Sequence, residues 1–250
     1  MRTRLHIGCS GWIYRHWKHK FYPSDLPQRD WFEYYSSVFD TVELNSTFYR
    51  LPPAKTFEIW EKQAPKGFIY AVKANRFLTH MKKLKDSRVP LKRFLDRARL
   101  LNDHLGPILY QLPPHWSLNL ERLRRFLDLL PDDLDHVIEF RDPSWFRDEV
   151  FDLLDVHGVA FCCHDLIGMS VPRIATGHFA YLRFHGGKLK YRGNYPVKVL
   201  SSWEPWLKQQ LAEKRIIWVY FNNDANAHAV ENAKDLKQMF SAGVAKKRHP

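Results

Sequence analysis

Glu43 and Asn45, Glu139 and Arg141, and Arg183 and His185 are pairs of polar residues two positions apart. In an extended chain such pairs point the same way. Their neighbours Val42, Leu44, Ile138, Phe140, Leu182 and Phe184 then point the other way and are all apolar. Two carboxylates can divide acid and base duties if their surroundings separate their pKa values, so Glu43 and Glu139 are candidates for proton transfer. Lys73, Arg141, Arg183 and His185 supply the charge that a phosphate, carboxylate or enolate oxygen requires. Asn45, Gln111, Asn222 and Asn223 can orient hydroxyls. Trp12, Tyr49 and Trp145 offer faces on which a sugar or base could stack. His80, within "THMKK", is placed to meet a phosphate.

A metal centre is the sharp alternative. Glu43, Glu139, His164, Asp165, His185 and Asp224 carry ligand atoms that suit Zn²⁺ or Mn²⁺. No short spaced motif of the HExxH kind supports it, and Lys73, Arg141 and Arg183 would repel a cation. The sequence requires no cofactor. "GCSGW" (8–12) is not a nucleophile elbow, so a serine or cysteine nucleophile is disfavoured.

These residues lie at the ends of short β-rich runs: 4–10, 41–46, 68–74, 107–112, 136–141, 159–165, 179–185 and 216–222. Amphipathic stretches separate them. Leu120, Leu123, Phe126, Leu127 and Leu130, for example, recur at helical steps. Strand–helix alternation implies parallel pairing through helical crossovers. Eight units in 250 residues predict an α/β fold, a single-domain (β/α)₈ TIM barrel over 1–250. The unit between strands six and seven, "LIGMSVPRIATGH", has no helical period and is expected to be irregular. No Gly-rich phosphate loop follows the first strand, which weighs against a doubly wound sheet. In a barrel, the polar strand ends converge on the carboxyl-terminal mouth, so Glu43 is expected to face a wet, charged opening beside Lys73 or Arg141.

Composition narrows the function classes. Apolar residues make up 45% of the chain and aromatics 15%, enough for a large core and against disorder. No apolar run is long enough to span a membrane, and the first residues lack the apolar core of a secretory signal. Three cysteines, two of them adjacent, give no disulfide framework and fit buried thiols in a reducing cytoplasm. The net charge of +12 is uneven: Lys73 to Arg99 holds ten Lys or Arg against two Asp. That surface is a candidate for nucleic acid or another acidic partner. Residues 244–250 form a basic tail expected to fray.

The motifs "GCSGWIYRHWKHKFYP" (8–23), "FDTVELNSTFYRLP" (39–52), "YAVKANRFLTH" (70–80), "LGPILYQLPP" (105–114), "IEFRDPSW" (138–145), "YLRFHGGKLKYRGNY" (181–195) and "VYFNNDANAHAVENA" (219–233) resemble the YecE-like family, domain of unknown function 72. The resemblance runs in order over nearly the whole chain. It implies a TIM barrel and a cytoplasmic, mainly prokaryotic setting, without a defined reaction. Its recurrent polar positions fall on Glu43, Asn45, Tyr49, Lys73, Thr79, His80, Gln111, Glu139, Arg141, His185, Asn222 and Asn223. Two stretches depart from the family pattern. "HKFYP" lacks the usual glycine-containing turn, and the loop after strand six is short.

The resulting expectation is an enzyme of isomerase, lyase or hydrolase type. It would act by acid/base chemistry on a polar, anionic, sugar- or phosphate-containing small molecule. The alternatives are a metal-dependent phosphodiester hydrolase and a nucleic-acid-binding protein using the 73–99 surface.

Overall fold

Eight parallel strands pair in sequence order and close on themselves in the computed structural model, which describes residues 4–186 and 191–245. They are β1 (Leu5–Cys9), β2 (Thr41–Leu44), β3 (Ile69–Lys73), β4 (Leu105–Gln111), β5 (His136–Glu139), β6 (Ala160–His164), β7 (Phe179–Phe184) and β8 (Ile216–Phe221). All eight expected strands are present, and β1 joins β8 over five register pairs from Leu5↔Ile217 to Cys9↔Phe221.

Helices cover the outside: α1 (Trp31–Val38), α2 (Ser46–Tyr49), α3 (Ala54–Gln63), α4 (Arg88–Ala98), α5 (Leu120–Leu127), α6 (Asp148–Val156), α7 (Val197–Ser201), α8 (Glu204–Ala212) and α9 (His228–Ala245). The start of α5 shows why a helix begins there. The Asn119 side chain accepts from the Arg122 backbone N–H at 2.9 Å, and Leu123, Phe126 and Leu127 then turn inward. No helix lies between β6 and β7, in agreement with the missing period. Thr176 ties that loop down instead, accepting from the Phe161 N–H and donating to the Val159 carbonyl. Of the basic tail, residues 244 and 245 continue α9, and 246–250 lie outside the described residues. Among the described residues no helix is long and apolar enough to cross a membrane.

The alternation read from sequence separates two apolar layers. Val42, Leu44, Ile138, Phe140, Leu182 and Phe184 pack outward beneath the helices. Ala71, Leu109, Val137, Ala160, Cys162, Phe179, Tyr181, Trp218 and Tyr220 fill the lumen. Small residues on β3 and β6 face bulky ones on β7 and β8, so the lumen is a packed floor rather than a pore. β1 and β2 share one register pair, Cys9↔Val42. The Tyr35 hydroxyl splices them by accepting from Cys9 N–H and donating to the Thr41 carbonyl. Gly8 leaves room for this: a Cβ there would meet the Thr41 oxygen at 2.3 Å and the Tyr35 hydroxyl at 3.1 Å.

The segment after β3 is irregular. A π-helical turn spans Phe77–Met81, and Lys83, Leu84 and Asp86 follow with φ of 47°, 64° and 47°. Left-handed backbone at non-glycine residues is strained and clusters at functional sites. The π-helical turn itself holds Thr79 and His80, with the His80 ring edge-on to Phe48.

Candidate active site

Arg183, on β7, is the centre of the mouth. Its register partners are His164 on β6 and Tyr220 on β8, and its side chain is wholly buried. Nη2 donates to Glu43 Oε1 at 2.6 Å and Nη1 to Glu139 Oε2 at 2.5 Å. One guanidinium thus bridges carboxylates from β2 and β5. Tyr181, two residues earlier on the same face, donates to Glu43 Oε2 at 2.8 Å, and Ser10 Oγ donates to Oε1 at 3.0 Å. Arg141 Nε donates to Glu139 Oε1. Charge-assisted bonds of this kind compensate the desolvation of buried ions.

Glu43 is therefore paired but dry, at 0% exposure, where the sequence reading expected a wet opening. The long Arg183 side chain roofs it, and Tyr181 and Ser10 donate to its two oxygens as well. Glu139 is equally buried. Burial pushes its carboxyl up, but Arg141, Arg183 and His185 together outweigh that and hold it well below the usual carboxylate range. Burial, reinforced by both guanidiniums, keeps the His185 imidazole neutral by pushing its pKa well down. Arg141 Nη2 donates to His185 Nε2 at 3.1 Å, and the Asn222 amide lies 3.3 Å from Nδ1. Asp165 accepts from the His185 backbone N–H and from the Tyr195 hydroxyl, pinning the loop after β7.

Lys73, at the end of β3, has a different environment. Its residue surface is 8% exposed, and its Nζ lies 4.3 Å from the centroid of the Phe48 ring. Among the described residues its Nζ has no hydrogen-bond partner. Burial, then the charge of Arg183, lowers its pKa from 10.5 to about 7, against the opposing pull of Glu139 and Glu43. Two carboxylates and two guanidiniums cancel here, so Lys73 is the surplus titratable group. Gln111 sits beside Glu139 in register, almost buried. Asn45 donates to the Ser10 carbonyl at 3.3 Å, and its buried Oδ1 has no partner among the described residues. His80 is half-buried, edge-on to Phe48 at 4.9 Å and 2.9 Å from the Thr79 hydroxyl. Burial and then Lys73 lower its pKa to about 4.

Other sequence candidates are placed elsewhere. Trp12 is not a stacking wall: it packs edge-on against Phe32 and Trp60 in the outer core. Trp145 likewise stacks on Phe140 and donates its indole N–H to the Trp116 carbonyl. Tyr49 stands 72% exposed on the rim. Asn223 points away from the mouth, because the alternation that sends Asn222 inward sends it outward. Its amide donates to the Gly193 carbonyl and to Asn232 on α9. Asp224 lies apart, 3.5 Å from His16. The three thiols are free and buried, as expected. Sequence reasoning passed over Tyr181 and Phe48. The two-residue step Tyr181–Arg183–His185 signalled the first. Phe48 lies on the short helix α2, where strand periodicity does not reach.

Of the acidic and imidazole groups, Glu139, His164 and His185 converge, with ligand atoms within 4.8 Å of one another. Their donors do not fit a metal ion. His164 Nε2 donates to the Phe140 carbonyl and its Nδ1 accepts from Leu166 N–H, so both nitrogens are committed. Arg141 and Arg183 take up the Glu139 oxygens. Of the six residues named from sequence as metal candidates, Glu139, His164 and His185 converge, and Glu43, Asp165 and Asp224 do not join them.

A closed parallel barrel with a buried carboxylate–guanidinium network at its carboxyl-terminal mouth defines a TIM-barrel protein with a polar strand-end site. The model of the family described as "Protein of unknown function DUF72" matches residues 6–250, and the chain belongs to that family. It is 25% identical to the UPF0759 protein YunF of Bacillus subtilis over 94% of both chains. It is 28% identical to the UPF0759 protein YecE of Escherichia coli K12 over 57% of this chain and 50% of that one. A DUF72 family protein of Thermotoga maritima MSB8 superposes with a TM-score of 0.86 at 28% identity, covering 96% of this chain and all of that one. One from Enterococcus faecalis V583 has the same fold, with a TM-score of 0.78 at 17% identity over 94% of each chain.

Proposed function

We propose that the barrel mouth is the active site of an enzyme that moves protons on a small, polar, anionic substrate, with Lys73 as the exchanging group. One observation carries the reading. Lys73 is the surplus charge beside a balanced network, partly reachable, and poised with a pKa of about 7. A group that titrates near the working pH serves as both acid and base. Protonated, it leaves the site one positive charge in excess and draws an anion; deprotonated, it accepts a proton next to a carbonyl. Arg141 anchors the anionic end. Glu43 and Glu139 act here as fixed counter-charges that hold the guanidiniums in place, while Asn45, Gln111 and Asn222 orient hydroxyls.

Acetylation by acetic anhydride, followed by peptide mapping across pH, tests this. Lys73 is expected to react with a midpoint near 7, well below exposed lysines. Phosphate or small carboxylates should protect it, and protection should vanish in Arg141→Gln. A midpoint shared with the surface lysines, together with no protection by any anion, would sink the proposal.

A second reading, nucleic-acid binding, is favoured by a groove of about 880 Å³ beside the mouth. Arg50, Lys82, Arg93 and Arg97 line it, and the exposed Phe77 ring joins them. Lys92 and Arg99, by contrast, pair with Asp96 and Asp133. Single-strand affinity should then fall steeply with salt. Neutralising Lys82, Lys83 and Lys85 together should reduce the log–log salt slope by about 2. Affinity indifferent to both salt and the triple substitution argues against it.

A further inference from the structure

Proton transfer does not exhaust what an uncharged lysine can do. A neutral amine is also a nucleophile toward carbonyl carbon, and desolvation of a lysine is a recognised way to activate it. Three features around Lys73 bear on that chemistry. Its Nζ has no hydrogen-bond partner among the described residues, so its lone pair need not be released from one. The Phe48 ring, 4.3 Å from Nζ, would meet a protonated imine at the same position. An aromatic face attracts such a cation as it attracts an ammonium. Arg141 has five N–H groups, of which three face Glu139, His185 and Tyr191. Among the described residues two remain for an acid group on the ligand, and Arg141 is near enough for its charge to depress the Lys73 amine.

We infer that Lys73 condenses with the carbonyl carbon of a small anionic aldehyde or ketone whose carboxylate or phosphate is seated on Arg141. This rests on the mouth being the active site. In the first step the N–C bond forms, and the carbonyl π electrons move to oxygen. That oxygen takes the equivalent of the proton nitrogen gives up. In the second, the C–O bond breaks, a further proton from solvent lets the oxygen leave as water, and the nitrogen lone pair closes the C=N bond. The product is a protonated imine, formed without oxidant or reductant. It withdraws electrons from the adjacent carbon, and the C–H or C–C bond there becomes the labile one. That places the substrate among 2-oxo acids and carbonyl-bearing phosphate esters.

The test is reductive trapping on the whole chain. The protein is incubated near pH 7 with pyruvate, glyoxylate, dihydroxyacetone phosphate or uncharged dihydroxyacetone, then reduced with sodium borohydride, digested and mapped. The Lys73 peptide should gain the mass of the probe less one oxygen. Labelling should exceed that of an ordinary exposed lysine by on the order of a thousandfold, because far more of the Lys73 amine is neutral at that pH. Lys73→Arg should lose the adduct. Arg141→Gln should cut trapping of the anionic probes about tenfold more than that of dihydroxyacetone. On the wild-type chain, phosphate ester against uncharged ketone gives the same comparison without a variant, and carboxylate against phosphate identifies the acid group. Absence of any Lys73 adduct, with the acetylation midpoint still near 7, overturns the imine and leaves proton transfer standing. Absence of an adduct with an ordinary lysine midpoint overturns both.

Discussion

Arg183→Met is expected to lower the folding free energy at neutral pH by about 3–5 kcal/mol, the cost of removing one partner from a buried ion pair. The case is harsher than a single pair, because one guanidinium serves both Glu43 and Glu139, and all three side chains are wholly buried. Methionine fills much of the volume, so the loss isolates charge from packing. The pH dependence gives the diagnostic sign. Glu139 has a depressed folded pKa, so its stabilisation is full above the ordinary carboxylate pKa and is lost as pH falls through the folded value. In the variant Glu139 lies buried without one of the guanidiniums that hold its pKa down, and takes up a proton more readily. The variant's deficit should therefore be largest near pH 7 and shrink on acidification. Urea denaturation followed by tryptophan fluorescence across pH measures this. A deficit constant with pH would mean that Arg183 acts through packing alone.

Lys73→Met is expected to do the opposite. The Lys73 pKa falls from 10.5 to about 7, so below 7 both folded and unfolded chains carry the proton and the folded state bears the full cost of burying it. Between about 7 and 10.5 the folded chain sheds the proton first, and stability rises with pH. Methionine removes the charge, so the variant should be more stable than wild type at neutral pH and below. Its advantage should be at most ~5 kcal/mol by the value of a pKa unit, fading from about pH 7 upward and gone above about pH 10.5. Loss of stability at neutral pH in this variant would show that Lys73 is a structural cation. A residue that weakens the fold while equipping the site is the usual stability–activity trade-off.

The same periodicity that revealed the barrel revealed much of the site. Alternation along β2, β5 and β7 placed Glu43, Glu139, Arg141, Arg183 and His185 on the lumen side, and the structure brings them together. What alternation cannot carry is length. It assigned Glu43 a direction, but whether water reaches it depends on how far the side chain from β7 extends across the barrel, a relation between residues 140 positions apart. Aromatic placement failed for a related reason. Trp12 lies in a loop and Trp145 ends a single 3-10 turn, where no period tells which face turns to the core, and large apolar rings turned inward. The irregular β6–β7 unit was legible because an absent helical period is itself a local property.

The filled lumen has a further consequence. Phe179, Tyr181, Trp218 and Tyr220 close the space beneath the charge network, and His6 stacks on Trp218 at the far end. Among the described residues this packing leaves water no rear entrance, so every proton that joins or leaves the network shares one doorway with whatever ligand is bound there. An occupant then sets the network's exchange with solvent as well as its own fate: while it stays, the charges beneath it are cut off from the bulk.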